Sequence, residues 1–155
     1  MAGRAHSEDE HDHLVVDGAT LRYERGQDLV WSLPIDSIRV IGEYTTDAGP
    51  AFDDYFIVFA VANPLRLFEA PVEAAGSVLR ELCVRLGCDL RCGLANRVDF
   101  ASQVLWPQDL VGRPLFDFVS DRRGPGMLAQ VKDVLLPLVK GEVTQSVREQ
   151  IEGKG

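Results

Sequence analysis

The chain has 155 residues, of which 46% are apolar and 26% charged, with 14 glycines and 8 prolines. These are the proportions of a globular domain long enough to bury a core without a disulfide or a metal, and they exclude collagen-like and disordered classes. Sixteen Lys and Arg against 24 Asp and Glu leave a formal charge of −8, and no basic run exceeds Arg122-Arg123, so no nucleic-acid surface is expected.

The longest apolar stretches, Tyr55–Ala62 and Val134–Val139, fall far short of the roughly 20 residues that a spanning helix needs, so no membrane span is expected. Met1–His13 is acidic and polar and has no apolar segment of the kind a secretory signal requires. Three cysteines, Cys83, Cys88 and Cys92, are an odd number for such a chain. They read as free thiols in the reducing cytoplasm.

In chain order, residues 1–13 are expected to form a mobile acidic tail, followed by a single α+β domain over 14–155. Within it, 14–93 reads as the core, 94–140 as an extension, and 141–155 as a C-terminus that frays. Leu14–Asp17 and Ala19–Arg25 are strand-like around the turn pair Asp17-Gly18, and Gly26-Gln27-Asp28 marks a second turn. Leu29–Leu33 alternates, with Leu29, Trp31 and Leu33 on one apolar face, and Pro34 ends it. Ile35–Thr46 begins with a turn and continues as a strand. Asp47–Asp54 is a loop broken at Gly49-Pro50. Asp54–Ala62 is apolar on both faces, which predicts a central strand packed on two sides. Leu65–Glu69 follows after too short a connection for a crossover, so it pairs antiparallel.

At Val72 the apolar period lengthens. Ala75, Val78, Leu79, Leu82, Cys83 and Leu86 recur at three and four residues, predicting one amphipathic helix over Val72–Leu86, with Cys83 buried and Gly87 as its stop. Val98–Trp106 reads as a strand ended by Pro107, and Leu115–Val119 as a short strand. Met127–Leu136 reads as a helix ended or kinked at Pro137. In the last stretch Val143, Val147 and Ile151 stand four apart, a helical spacing in a polar context.

This order of short strands, then Trp31-Ser32-Leu33-Pro34-Ile35-Asp36-Ser37-Ile38, then strands Tyr55–Val61 and Leu65–Phe68 and the helix to Gly87, resembles the bacterial pleckstrin-homology-like domains over residues 21–87. The resemblance implies a bent antiparallel β-sheet system, a partly open barrel or sandwich closed by a helix, here followed by a C-terminal strand and helix extension. Five or six strands precede the helix, against seven in that family. Members of the fold bind peptides, proteins and lipids, so the resemblance leaves function open.

Candidate chemistry is sparse. His6, His11 and His13 are the three histidines, all in the tail, which leaves Ser-His-Asp and Cys-His schemes without a base in the folded part. The three clustered cysteines lack a good fourth zinc ligand, and no metal or cofactor is expected. Among carboxylates, Asp53 and Asp54 stand at the mouth of the central strand, and Glu43, Asp47, Glu69 and Glu73 converge only if the fold brings them together. Arg122, Arg123 and Gly124 precede the Met127 helix and form a candidate anion site. No nucleotide-binding glycine motif is present. Apolar residues Leu135, Leu136, Leu138 and Val139 surround Pro137 in most directions, and with Trp106 they form a candidate interface. The sequence therefore reads as a non-catalytic protein-binding or self-associating module, with a homodimer the expected partner state. The alternative is a small hydrolase or ligand-binding enzyme using Asp53, Asp54, Glu43 and Glu69.

Overall fold

Hairpin chemistry organises residues 12–34. In the structure, a computed structural model that describes residues 11–46, 55–62, 64–94, 101–117 and 142–153, β1 (Asp12–Asp17), β2 (Thr20–Arg25) and β3 (Asp28–Pro34) form an antiparallel meander. The turns fall at Gly18 and at Gly26, as their residue types predict. Strand β1 begins two residues earlier than the tail boundary at His13 allowed. Asp12 pairs with Arg25 across the sheet, and their side chains bond at 3.1 Å.

The apolar alternation of β3 is broken by a bulge. Tyr23 pairs with Trp31 but Glu24 pairs with Leu29, so Val30 is an extra residue. The expected face of Leu29, Trp31 and Leu33 is therefore split. Trp31 and Leu33 stay on the core side, while Leu29 is sent outward.

A 3₁₀ turn at Ile35–Ser37 leads into the second sheet, ordered β6-β5-β4-β7. Its strands are β4 (Ile38–Thr45), β5 (Tyr55–Val61), β6 (Arg66–Pro71) and β7 (Ala101–Trp106), and all neighbours are antiparallel. Strand β5 is internal and covered on both faces, as its composition predicted. Ile57 and Phe59 enter one core and Val58 and Ala60 a second.

The first core lies between the two sheets and includes Leu21, Tyr23, Ile41, Phe59 and Leu82. Trp31 packs against it, its ring 5.9 Å from Phe59 and 5.5 Å from Phe68, and its indole N–H donates to the Glu69 carbonyl at 2.8 Å. Of the other residues that the strand pattern places inside, Ile38 and Val40 are buried, and Leu67 and Tyr55 are half-buried. The predicted helix is two helices. Helix α1 (Val72–Ala75) stops at Gly76, whose φ of 44° and ψ of −127° are not helical, and α2 (Val78–Leu86) restarts after Ser77. The apolar spacing is indifferent to such a break, because Ala74, Ala75, Val78 and Leu82 still reach one core. Gly87 stops α2 as predicted.

The second core covers the other face of the four-stranded sheet. Leu115 and the two-residue pair of β8 (Phe116–Asp117) and β9 (Glu142–Val143) contribute to it. So does α3 (Gln145–Glu152), whose Val147 and Ile151 are fully buried. Within the stretch 141–155 expected to fray, the described residues 142–153 are thus docked. Thr144 fixes its start, donating from Oγ1 to the Pro114 carbonyl at 2.9 Å and from its backbone N–H to the Leu115 carbonyl at 3.0 Å. Gly42 in β4 leaves the space that Leu115 fills, since a Cβ there would stand 2.6 Å from Leu115 Cδ2. The result is an α+β architecture with an unclosed four-stranded sheet at its centre. Among the described residues no helix is long and apolar enough to cross a membrane.

Candidate functional site

Glu43 is the most unusual side chain in this framework. It lies inside the four-stranded sheet with no exposed surface. It shares a face with Ile41, and its cross-strand partners are Ile57 on β5 and Gln103 on β7. Its Oε1 accepts from Gln103 Nε2 at 2.5 Å and from the Gly93 backbone N–H at 2.7 Å. Its Oε2 accepts from the Tyr55 hydroxyl. That hydroxyl in turn accepts from the Leu94 N–H at 3.3 Å. Two strands and the irregular segment after α2 are thereby tied to one carboxylate.

A buried carboxylate bonded by Gln103, Gly93 and Tyr55 is an acceptor whose hydrogen bonds are already made. Its negative charge also acts on its neighbours. Burial, then the charge of Glu43 and a hydrogen bond to it, push the Cys92 thiol up to about 11. Burial and the hydrogen bond to Glu43 push the Tyr55 hydroxyl well above its ordinary value. Cys92 is therefore a thiol at neutral pH, the form that is not a nucleophile. The arrangement holds residues 92–94 against the sheet.

Of the carboxylates of the enzyme alternative, the two that are described, Glu43 and Glu69, do not gather here. Glu69 pairs with Val58, which points into the second core, whereas Glu43 pairs with Ile57, which points into the first. The two acids stand on opposite faces of one sheet and cannot share a substrate. Glu69 accepts from the Tyr44 hydroxyl at 2.8 Å. Burial and then the negative Glu69 push that hydroxyl well above its ordinary ionisation range, so it stays protonated. Asp53, Asp54, Arg122, Arg123, Gly124, Leu135, Leu136, Leu138 and Val139 lie outside the described residues.

The remaining candidates take structural places. Cys83 is half-buried rather than buried, because it sits in the last turn of α2, where its Sγ accepts from the Leu90 N–H at 3.1 Å. Burial and the neighbouring Cys83 raise the Cys88 thiol. Among the described residues no three His, Cys, Asp or Glu side chains converge as metal ligands. His13 is held in β1, its Nε2 3.2 Å from Glu24. Trp106, half-buried at the end of β7, packs against the first core within its own chain.

Sequence reasoning missed Gln103 and the role of Glu43. The available signal was parity: Glu43 stands two residues after the apolar Ile41 in a strand, and so on the same face. Comparison of the chain with protein-family models, curated proteins and solved structures finds no match.

Proposed function

We propose that the chain is a non-catalytic protein-binding module that self-associates. The observation that carries this is the free edge of the three-stranded sheet. Strand β3 pairs only with β2 among the described residues, and at its start Leu29 and Val30 are 58% and 47% exposed. A solvated edge strand ordinarily carries charge at such positions. The bulge at Val30 blunts extension of the backbone ladder, so contact is made by the two aliphatic side chains. A two-fold apposition of this end with a second copy covers all four aliphatic groups.

The apolar run Leu135, Leu136, Leu138 and Val139 belongs to the same reading as a second contact, on sequence grounds. The net charge of −8 keeps such a particle dispersed without opposing an apolar contact. A pleckstrin-homology-like origin is also part of the proposal. Its support is the packing of a three-stranded on a four-stranded antiparallel sheet with six strands ahead of the helices. Strand β7 comes after the helices and completes the second sheet, a departure from that family's order. Three unpaired thiols support a cytoplasmic setting.

Light scattering after size exclusion, from low to high micromolar protein, tests the central claim. The parent is expected to rise toward twice the chain mass. Leu29→Glu with Val30→Lys, or Leu135→Asp with Val139→Asp, is expected to lower that mass. A monomer at every concentration overturns self-association.

A further inference from the structure

Two bulges stand at one end of the four-stranded sheet. In β4, Arg39 is the extra residue between the pairs Ile38–Val61 and Val40–Ala60. In β7, Leu105 is the extra residue between the pairs Ile41–Trp106 and Gly42–Val104. A bulge re-aims the side chains beside it, and bulges recur next to binding sites. Here Arg39 and Trp106 both line one cleft of about 410 Å³. Ile35, Ile38 and Leu86 give it an apolar lining, and Arg85 and Asp36 complete its polar part. That size suits a small molecule rather than a polypeptide.

The charges of the cleft are not equivalent. Arg85 is committed, donating to the Gly18 carbonyl at 2.5 Å and to Glu81 Oε1 at 3.1 Å. Arg39 is half-buried and forms no ion pair among the described residues. A guanidinium stays charged at any physiological pH and offers a planar fork that matches a carboxylate. Trp106 adds a flat apolar surface steadied by the first core. Asp36 in the same lining opposes a multiply charged anion and leaves a single negative charge better tolerated.

We propose that this cleft binds a small planar aromatic monocarboxylate, its ring against Trp106 and its carboxylate on Arg39. The site is separate from the β3 contact and stands or falls independently of it.

The test is titration of the full chain with 2-naphthoate, 2-naphthamide and inorganic phosphate, followed by the two indole N–H resonances in nitrogen-15 spectra. Trp106→Phe assigns them. The Trp31 indole is tied to the Glu69 carbonyl and serves as the internal reference. Naphthoate is expected to shift the Trp106 resonance saturably and leave that of Trp31 in place. Loss of one charge-assisted contact predicts binding weaker by about ten-fold or more, both for naphthamide and for naphthoate on Arg39→Gln. Arg39→Lys, which keeps the charge without the fork, is expected to fall between. Phosphate is expected not to compete. An unmoved Trp106 resonance, equal binding of acid and amide, or competition by phosphate overturns the proposal. If Arg39→Gln fails to fold, Arg39→Lys and the acid–amide comparison still decide it.

Discussion

At the scale of single residues, Glu43 concentrates the consequences of burial. Gln103, Gly93 and Tyr55 are brought together to meet a carboxylate, so its removal leaves their donors facing no acceptor. Glu43→Ala is expected to destabilise by about 3 kcal/mol, and Glu43→Gln, which keeps one acceptor oxygen, by less. Urea unfolding at neutral pH checks the order. Equal midpoints for parent and Glu43→Ala contradict the clamp. Burial, and after it the Glu43 carboxylate, set a pH dependence through Cys92, whose thiol is raised from 9.0 to about 11. Between those values the unfolded chain releases the thiol proton and the folded chain retains it. Stability therefore falls as pH rises across that window, and the thiol's contribution is complete below it. Tyr55, also raised, adds a decline of the same sign at higher pH. Cys92→Ala is expected to show a shallower loss of urea midpoint between pH 9 and 11 than the parent.

At the scale of elements, the break between α1 and α2 shows where periodicity stops being informative. Gly76 has room for a methyl group, since nothing lies within 4 Å of a Cβ built there, but its φ is positive. Any cost of Gly76→Ala thus arises from backbone conformation and not from a clash, and is expected to be about 1–3 kcal/mol. A Gly76→Ala variant as stable as the parent in thermal and urea unfolding would mean that α1 and α2 can merge into the single helix the spacing suggests. The bulge in β3 teaches a related point. One extra residue, Val30, turned an apolar triplet into two inward groups and one outward group. Alternation in a short strand records which residues are apolar, but the partner strand decides how they are counted.

At the scale of the molecule, one sheet serves two cores, and the second depends on chain that closes it from the far end of the sequence. Val147 and Ile151 on α3 have no exposed surface and pack with Val40, Val58 and Val104. Ile151→Ala is accordingly expected to cost about 2–5 kcal/mol, the range for a buried large aliphatic residue. A loss under a few tenths, measured by denaturant unfolding, would show a C-terminus that is only loosely applied. Docking of α3 also explains why its own polarity was a poor guide. An eight-residue helix is marginal in isolation, and here tertiary burial of one narrow stripe supplies what propensity does not.

The sequence by itself determined the local elements whose signals are contained within a few residues: the turns at Gly18 and Gly26, the two-sided apolar strand β5, the helical period after Pro71 and its stop at Gly87. Each follows from steric or solvation preferences that neighbours along the chain already express. The α+β class follows from their order. Only the tertiary structure decided that Glu43 is enclosed by Gln103, Tyr55 and Gly93, that Glu69 lies on the opposite face, and that Arg39 and Trp106 meet at one cleft. Those outcomes depend on register across strands up to 67 positions apart, from Arg39 to Trp106, and on two single-residue bulges. Register is set by the summed packing of whole faces, so no local pattern in the sequence encodes it.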